Sequence, residues 1–202
     1  MTRRAFFVFG PESSGTRLVA QALLAGGCYG HDGHFQPFDC KHLDVVPGDC
    51  SEVNVHALRA TTGDVLFRRS LPHGIRTAPP EYRWPTITAI INAFHSEGLH
   101  SHVIVTVRDT HCLIQSQIRR FGITVGEARA NVSKAYSQIF HALSTSAEAI
   151  PFTIVTYESL ILNRMSAVRR LLEELKLNLN PRLAPRIRDE NRKYYSENND
   201  SP

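Results

Sequence analysis

No stretch of this chain approaches the roughly 18 consecutive apolar residues that a membrane-spanning helix needs. The apolar run nearest the N-terminus, Ala5-Phe-Phe-Val-Phe9, follows Arg3 and Arg4 but is closed by Gly10-Pro11, too soon for a signal-peptide core. Cysteine is scarce. Cys28, Cys40, Cys50 and Cys112 form no C-x-x-C pair, which removes the zinc-ribbon and dithiol redox motifs. In 202 residues they do not amount to a disulfide framework, so free thiols in a reducing, cytoplasmic compartment are expected. Charge of one sign is also lacking: 23 Lys and Arg stand against 19 Asp and Glu, a formal net charge of +4. That excess suits a small anionic ligand and is too weak to argue for nucleic acid. Internal repeats and low-complexity linkers are absent. What remains is an ordinary globular balance, 42% hydrophobic and 21% charged, in a length that fits one domain over 1–202.

Short apolar runs mark the strands. Ala5–Phe9, Val65–Ser70, His102–Val107 and Phe152–Thr156 are β-branched or aromatic and bounded by turn residues. Between them lie helical patterns at Thr16–Ala25, Trp84–Glu97, Thr110–Phe121, Val125–Ser144 and Met165–Leu175. Strands alternating with helices predict an α/β fold: a mainly parallel central sheet with helices on both faces, of the P-loop kind. Residues 28–63 are expected as irregular loop with short helical turns, and 191–202 as a flexible polar tail. Ligands of such folds sit beyond the C-terminal ends of the strands. That singles out residues 10–17, 70–74 and 108–116.

The first of these reads Gly10-Pro-Glu-Ser-Ser-Gly-Thr-Arg17 between a strand and a helix. Amides at a helix N-terminus are unpaired donors at the positive end of the dipole, and glycine lets the backbone approach a phosphate. Ser13, Ser14 and Thr16 add hydroxyls and Arg17 a charge. The ATPase loop GxxxxGK[ST] would need Lys at Thr16 and Ser or Thr at Arg17, so the γ-phosphate lysine and the Mg²⁺ hydroxyl are both missing.

Ser13-Ser14-Gly15-Thr16-Arg17 resembles the phosphate loop of the sulfotransferase family, which reads roughly Lys-Ser-Gly-Thr-Thr or Arg-Ser-Gly-Ser-Thr. The family's cation falls on Ser13, and Arg17 is the nearest replacement. The strand ending at Arg108, with Ser116 eight residues later, resembles the family's 3′-phosphate site. Tyr157-Glu158-x-Leu160 resembles its strand ending in Tyr-Glu-x-Leu, whose Tyr lies near adenine. Phe67-Arg68-Arg69-Ser70-Leu71-Pro72-His73 resembles the strand carrying Lys-Thr-His-Leu-Pro in cytosolic members, with Arg68 at the Lys and Ser70 at the base His.

The resemblance implies sulfuryl transfer from 3′-phosphoadenosine 5′-phosphosulfate (PAPS) to a hydroxyl or amine, with adenosine 3′,5′-bisphosphate as product and no metal. Ser13, Ser14, Gly15, Thr16 and Arg17 would hold the phosphosulfate, Arg108 and Ser116 the 3′-phosphate, and Tyr157 would border adenine. The catalytic set would be His73 as base with Arg17 and Arg68 on the sulfuryl or phosphate oxygens. An unperturbed imidazole takes a proton at neutral pH. Asp32, His31 and His34 are alternative bases, since some members place a carboxylate after the first helix. The family's C-terminal Arg-Lys-Gly is absent, leaving Arg186, Arg188 and Arg192 as candidates. Partners would be the nucleotide donor and a small-molecule or glycan acceptor, without nucleic acid or membrane. The alternative is a nucleotide-binding or kinase-like P-loop protein with no sulfuryl transfer, or an interaction protein that kept the fold. His31, His34, Cys40, His42 and Cys50, near Asp32 and Asp39, crowd one loop at spacings that match no standard metal finger, and acceptor recognition is the expected role of that segment.

Overall fold

The computed structural model describes residues 3–33, 37–38, 53–76, 83–146 and 149–195. The chain forms β1 (Arg4–Pro11), α1 (Thr16–Ala25), α2 (Val55–Ala60), β2 (Val65–Leu71), α3 (Ile87–Ser96), β3 (His100–Val107), α4 (Thr110–Phe121), α5 (Val125–Thr145), β4 (Phe152–Thr156), α6 (Tyr157–Glu174) and α7 (Arg192–Tyr195), with a 3-10 turn at Pro181–Leu183. The four strands are parallel, in the order β2-β1-β3-β4.

Alternation along the buried strands divides the core into two layers. Phe7, Phe9, Phe67, Val103 and Val105 face α3 and α5, where Ile90, Phe94 and Ile139 meet them. Phe6, Val8, Leu66, Ile104 and Val155 face α1 and α6, against Val19, Leu23, Val168 and Leu172. Both faces are covered, so β1 carries no polar side chain between Ala5 and Phe9. This is the α/β class that the alternation predicts. The chain leaves β1 for β2 on one side and returns past it to β3 on the other. The β1/β3 gap is therefore a topological switch point, where the loops diverge and open a crevice.

Three expectations shift: the starts of α6 and α3, and the polar end. Helix α6 starts at Tyr157, directly after β4, and not at Met165. Thr156 caps it by accepting from the Ser159 amide. Arg164, at φ 44 and ψ −124, breaks it into two pieces, and the apolar spacing that begins at Met165 belongs to the second piece. Helix α3 begins at Ile87 because Thr86 is extended. Within 28–63, Asn54 caps the short helix α2, and Tyr29 bridges to Val65. At the other end, Asn191–Tyr195 packs onto the body, with Tyr194 buried. No helix among the described residues is long and apolar enough to cross a membrane. Cys28 and Cys112 are buried free thiols, Cys28 pushed up to about 12 by desolvation.

Phe7 sits at the centre of the aromatic layer, its ring 4.9 Å from that of Phe94 in an edge-on pair. Phe7→Ala should lower unfolding free energy by about 3–5 kcal/mol in urea denaturation. Thr124→Ala, which breaks the capping box with Glu127 at the start of α5, should cost only about 1 kcal/mol. The opposite ranking would show that stability does not rest on this layer.

Candidate functional site

Strand β1 ends in a loop tied down on three sides. The Glu12 amide donates to the Leu71 carbonyl at 2.7 Å, the Ser14 amide to the Pro11 carbonyl at 3.0 Å, and Gln117 Nε2 to the Glu12 carbonyl at 3.1 Å. Ser13 and Gly15 both have positive φ (74° and 96°), with Ser14 between them. Alternating handedness of this kind turns successive amides to one side, forming an anion-binding concavity. Gly15 is also the N-cap of α1 and supplies no side-chain cap; the Leu18 amide donates to the Gly15 carbonyl at 2.9 Å, and the amides ahead of it are the donors that a helix start leaves without an intrahelical partner. A Cβ on Gly10 would fall on Thr106 Oγ1 and Ser14 Oγ, so only glycine lets β1 and β3 close here. A Cβ on Gly15 would lie 2.7 Å from the Tyr157 ring.

The loop borders a cavity of about 640 Å³. Eight cationic side chains line it, against three carboxylates: Glu12, Asp32 and Glu190. Those three are already engaged, by Arg120 at 2.9 Å, Arg17 at 3.0 Å and Lys193 at 2.7 Å. Arg68 and Arg108 make no ion pair among the described residues. Arg68, on β2, is 6% exposed, and burial pushes its pKa down. Its Nη1 donates to Thr16 Oγ1 at 3.0 Å and its Nη2 to the Gly33 carbonyl at 2.6 Å. Arg108, at the end of β3, is 7% exposed and donates from Nη1 to the Ser13 carbonyl at 2.8 Å. Arg68 Nε, Arg108 Nη2 and Ser13 Oγ are buried in this wall without a partner among the described residues. Two guanidinium nitrogens, a hydroxyl and a set of turned amides fit a phosphorylated anion.

The other candidates fall as follows. Thr16 Oγ1 lies 2.8 Å from Ser70 Oγ and lines the cavity with Gly15 and Ser116. Ser14 is fully buried and its hydroxyl pairs with Thr106 Oγ1 at 2.5 Å, so its side chain belongs to the loop's foundation and not to the cavity wall. Arg17 is largely exposed and turned to Asp32. The Tyr157 ring backs Arg108 at 4.5 Å, and its hydroxyl donates to the Arg188 carbonyl at 3.0 Å.

His73 is not brought into the wall. Arg68 lies beside Val8, on the α1 face of the sheet, whereas Arg69 follows Phe67 onto the opposite face. His73 goes with Arg69, its Nε2 3.1 Å from Arg69 Nη1. His31 is exposed, with Nδ1 accepting from the Gly33 amide. His34, Asp39, Cys40, His42 and Cys50 lie outside the described residues. Asp32 does line the cavity. Burial alone would raise its carboxyl, but hydrogen bonds from Arg17 and Gln21 outweigh burial and hold it below the ordinary carboxylate range.

Glu12, Asn191, Lys193 and Tyr194 were not legible as site residues. The last three sit in a polar terminal stretch whose composition resembles a frayed end. Arg186 and Arg188 line the cavity; Arg192 does not.

No protein-family model matches this sequence, and no curated protein matches it. Solved structures do. The sulfotransferase domain of the Synechococcus PCC 7002 olefin synthase superposes with a TM-score of 0.59 at 14% identity, over 90% of this chain and 75% of that one. The sulfotransferase domain from the curacin biosynthetic pathway gives 0.59 at 13% identity, over 90% and 76%. At such identities the likeness is one of fold.

Gly15→Ala should cost more than Gly27→Ala in urea denaturation. Both residues have positive φ, which is worth about 1–2 kcal/mol against a side chain. Only Gly15 also meets Tyr157, while Gly27 faces open space. Equal losses would remove the ring contact from this account.

Proposed function

We propose that this chain transfers a sulfuryl group from PAPS to a hydroxyl or amine acceptor and releases adenosine 3′,5′-bisphosphate. The observation that carries the reading is the pair of buried guanidinium groups, Arg68 and Arg108, which among the described residues have no carboxylate partner, in one cavity at the phosphate loop. Each has a donor nitrogen left over, and two separated donors suit a nucleotide with two phosphorylated ends. A Mg²⁺-nucleotide fits less well, because Arg17 stands where the metal-binding hydroxyl would be. The sulfotransferase domains of like fold support the same choice.

In this reading the loop from Ser13 to Arg17 holds the phosphosulfate, chiefly through its amides, Ser13 Oγ and Thr16. Arg68 supplies from β2 the cation that Ser13 lacks. Arg108 and Ser116 hold the 3′-phosphate, and Tyr157 braces Arg108 beside the adenine. Asp32 takes the acceptor's proton in place of His73. The acceptor oxygen or nitrogen bonds to sulfur as the bond from sulfur to the bridging phosphate oxygen breaks. The charge left on that phosphate meets donors already in place.

Titration calorimetry tests the donor. Adenosine 3′,5′-bisphosphate should bind more tightly than ATP–Mg²⁺. Arg108→Lys, which keeps the charge and loses the fork, should weaken the bisphosphate by roughly 10–100-fold. Tighter binding of ATP–Mg²⁺ would sink the reading.

The base has a separate test in pH. Its reactive form is the carboxylate, and the Asp32 pKa is depressed, so that form persists above a low pKa and is lost only as pH falls through it. The rate should therefore stay level through pH 6.5 and fall only below the ordinary Asp value of about 3.9. Asp32→Asn should cut turnover by roughly 10²–10⁴-fold. An inflection near pH 6.5 that disappears in His73→Ala would return the role to His73.

A further inference from the structure

The donor nitrogens of Arg108 are unequally placed. Nη1 is held by the Ser13 carbonyl at 2.8 Å, Nε donates to Asn191 Oδ1 at 2.7 Å, and Nη2 has no partner. The Tyr157 and Tyr194 rings lie 4.5 and 5.7 Å from the guanidinium carbon. A guanidinium is planar with its nitrogens in a fixed fork, so two acceptors on Nε and Nη1 determine where Nη2 stands.

Asn191 is the acceptor that the strand and loop do not supply. It is 5% exposed, and its amide can face only one way. Arg108 only donates, and the Glu158 carboxylate only accepts. Oδ1 therefore meets Arg108, and Nδ2 donates to Glu158 Oε1 at 2.9 Å. Glu158 Oε1 is itself fixed by the Asp109 backbone amide at 3.0 Å, and the Asn191 backbone N–H donates to Asp189 Oδ1 at 2.8 Å. A side chain this tightly oriented orients what it touches.

We infer that Asn191 is a positioning residue: it sets the Arg108 fork so that Nη2 meets the 3′-phosphate, and so fixes the preference for a 3′-phosphorylated nucleotide over one with a free 3′-hydroxyl. This rests on the assignment of the 3′-phosphate to Arg108 made above. A residue that only packs the tail would change affinity for both nucleotides alike.

The experiment compares adenosine 3′,5′-bisphosphate with adenosine 5′-monophosphate, two probes that differ only at the 3′ position, by titration calorimetry on the full chain. Asn191→Ala should weaken the bisphosphate by roughly tenfold and leave the monophosphate within about twofold, the loss expected for one hydrogen bond to a charged group. Glu158→Ala, which frees the far end of the Asn191 amide, should lower the same ratio, and it decides the matter if Asn191→Ala does not fold. Urea midpoints report folding in each case. Variants that keep the wild-type ratio, even with weaker binding overall, overturn the inference. A wild-type chain that shows no preference overturns the 3′-phosphate assignment itself, and this inference with it.

Discussion

Two guanidinium groups are kept from water in one cavity wall, and among the described residues the acceptors that hydrogen-bond them are neutral. Removing a charge from water costs several kcal/mol even after the protein relaxes. Arg68 recovers part of this through Thr16 and the Gly33 carbonyl, and Arg108 through the Ser13 carbonyl and Asn191. A hydrogen bond to a charged group contributes about 1.5–3 kcal/mol, so such contacts offset the cost only in part. Ser13 adds a left-handed backbone, itself worth about 1–3 kcal/mol of strain. Unsatisfied donors, strain and positive potential are thus gathered at one place, the N-terminus of α1. The two apolar layers on either side of the sheet supply the stability that tolerates this.

The parallel register decides which charge reaches the loop. Val8 lies beside Arg68 and Phe9 beside Arg69. A slip of one residue would exchange the faces of the two arginines. Arg69 would then stand at Thr16, while Arg68 would take the aromatic face now occupied by Arg69 over the Phe67 ring. The close approach at Gly10, fixed by Thr106 and Ser14, helps to hold β1 against β3 in the matching register.

The strands were legible because a doubly covered parallel sheet leaves mainly apolar residues in them, and the loop from Gly10 to Arg17 because its glycines and following helix are local. The Arg108–Ser116 spacing is local too: one residue ends β3 and the other lies within α4. What failed to show depends on contacts distant in sequence. Arg68 reaches Thr16 of the loop only because β2 pairs with β1. His73 follows the strand closely in sequence, but its ring goes with Arg69 to the other face of the sheet. Tyr157 directly follows β4 and begins a helix, whose pattern is hidden by the break at Arg164. Asn191 and Tyr194 have the composition of a frayed end, and distant partners, Arg108 for both and Glu158 for Asn191, give them a place.

A lysine-bearing phosphate loop carries its cation on the same few residues as its amides. Here Arg68 comes from β2, Arg108 from the end of β3 and Lys193 from the tail, so in the proposed reading anion recognition would depend on the packing of separate segments. On that reading, whatever favours the packed state of Asn191–Tyr195 would raise affinity for an anion at Arg108, and a bound anion would favour that packed state by the same factor. Arg108 is where the two meet, since one guanidinium holds the Ser13 carbonyl of the loop and the Asn191 amide of the tail. Loss of either acceptor would leave a second donor of that buried charge unpaired, so the loop and the tail are coupled through Arg108 before any ligand arrives.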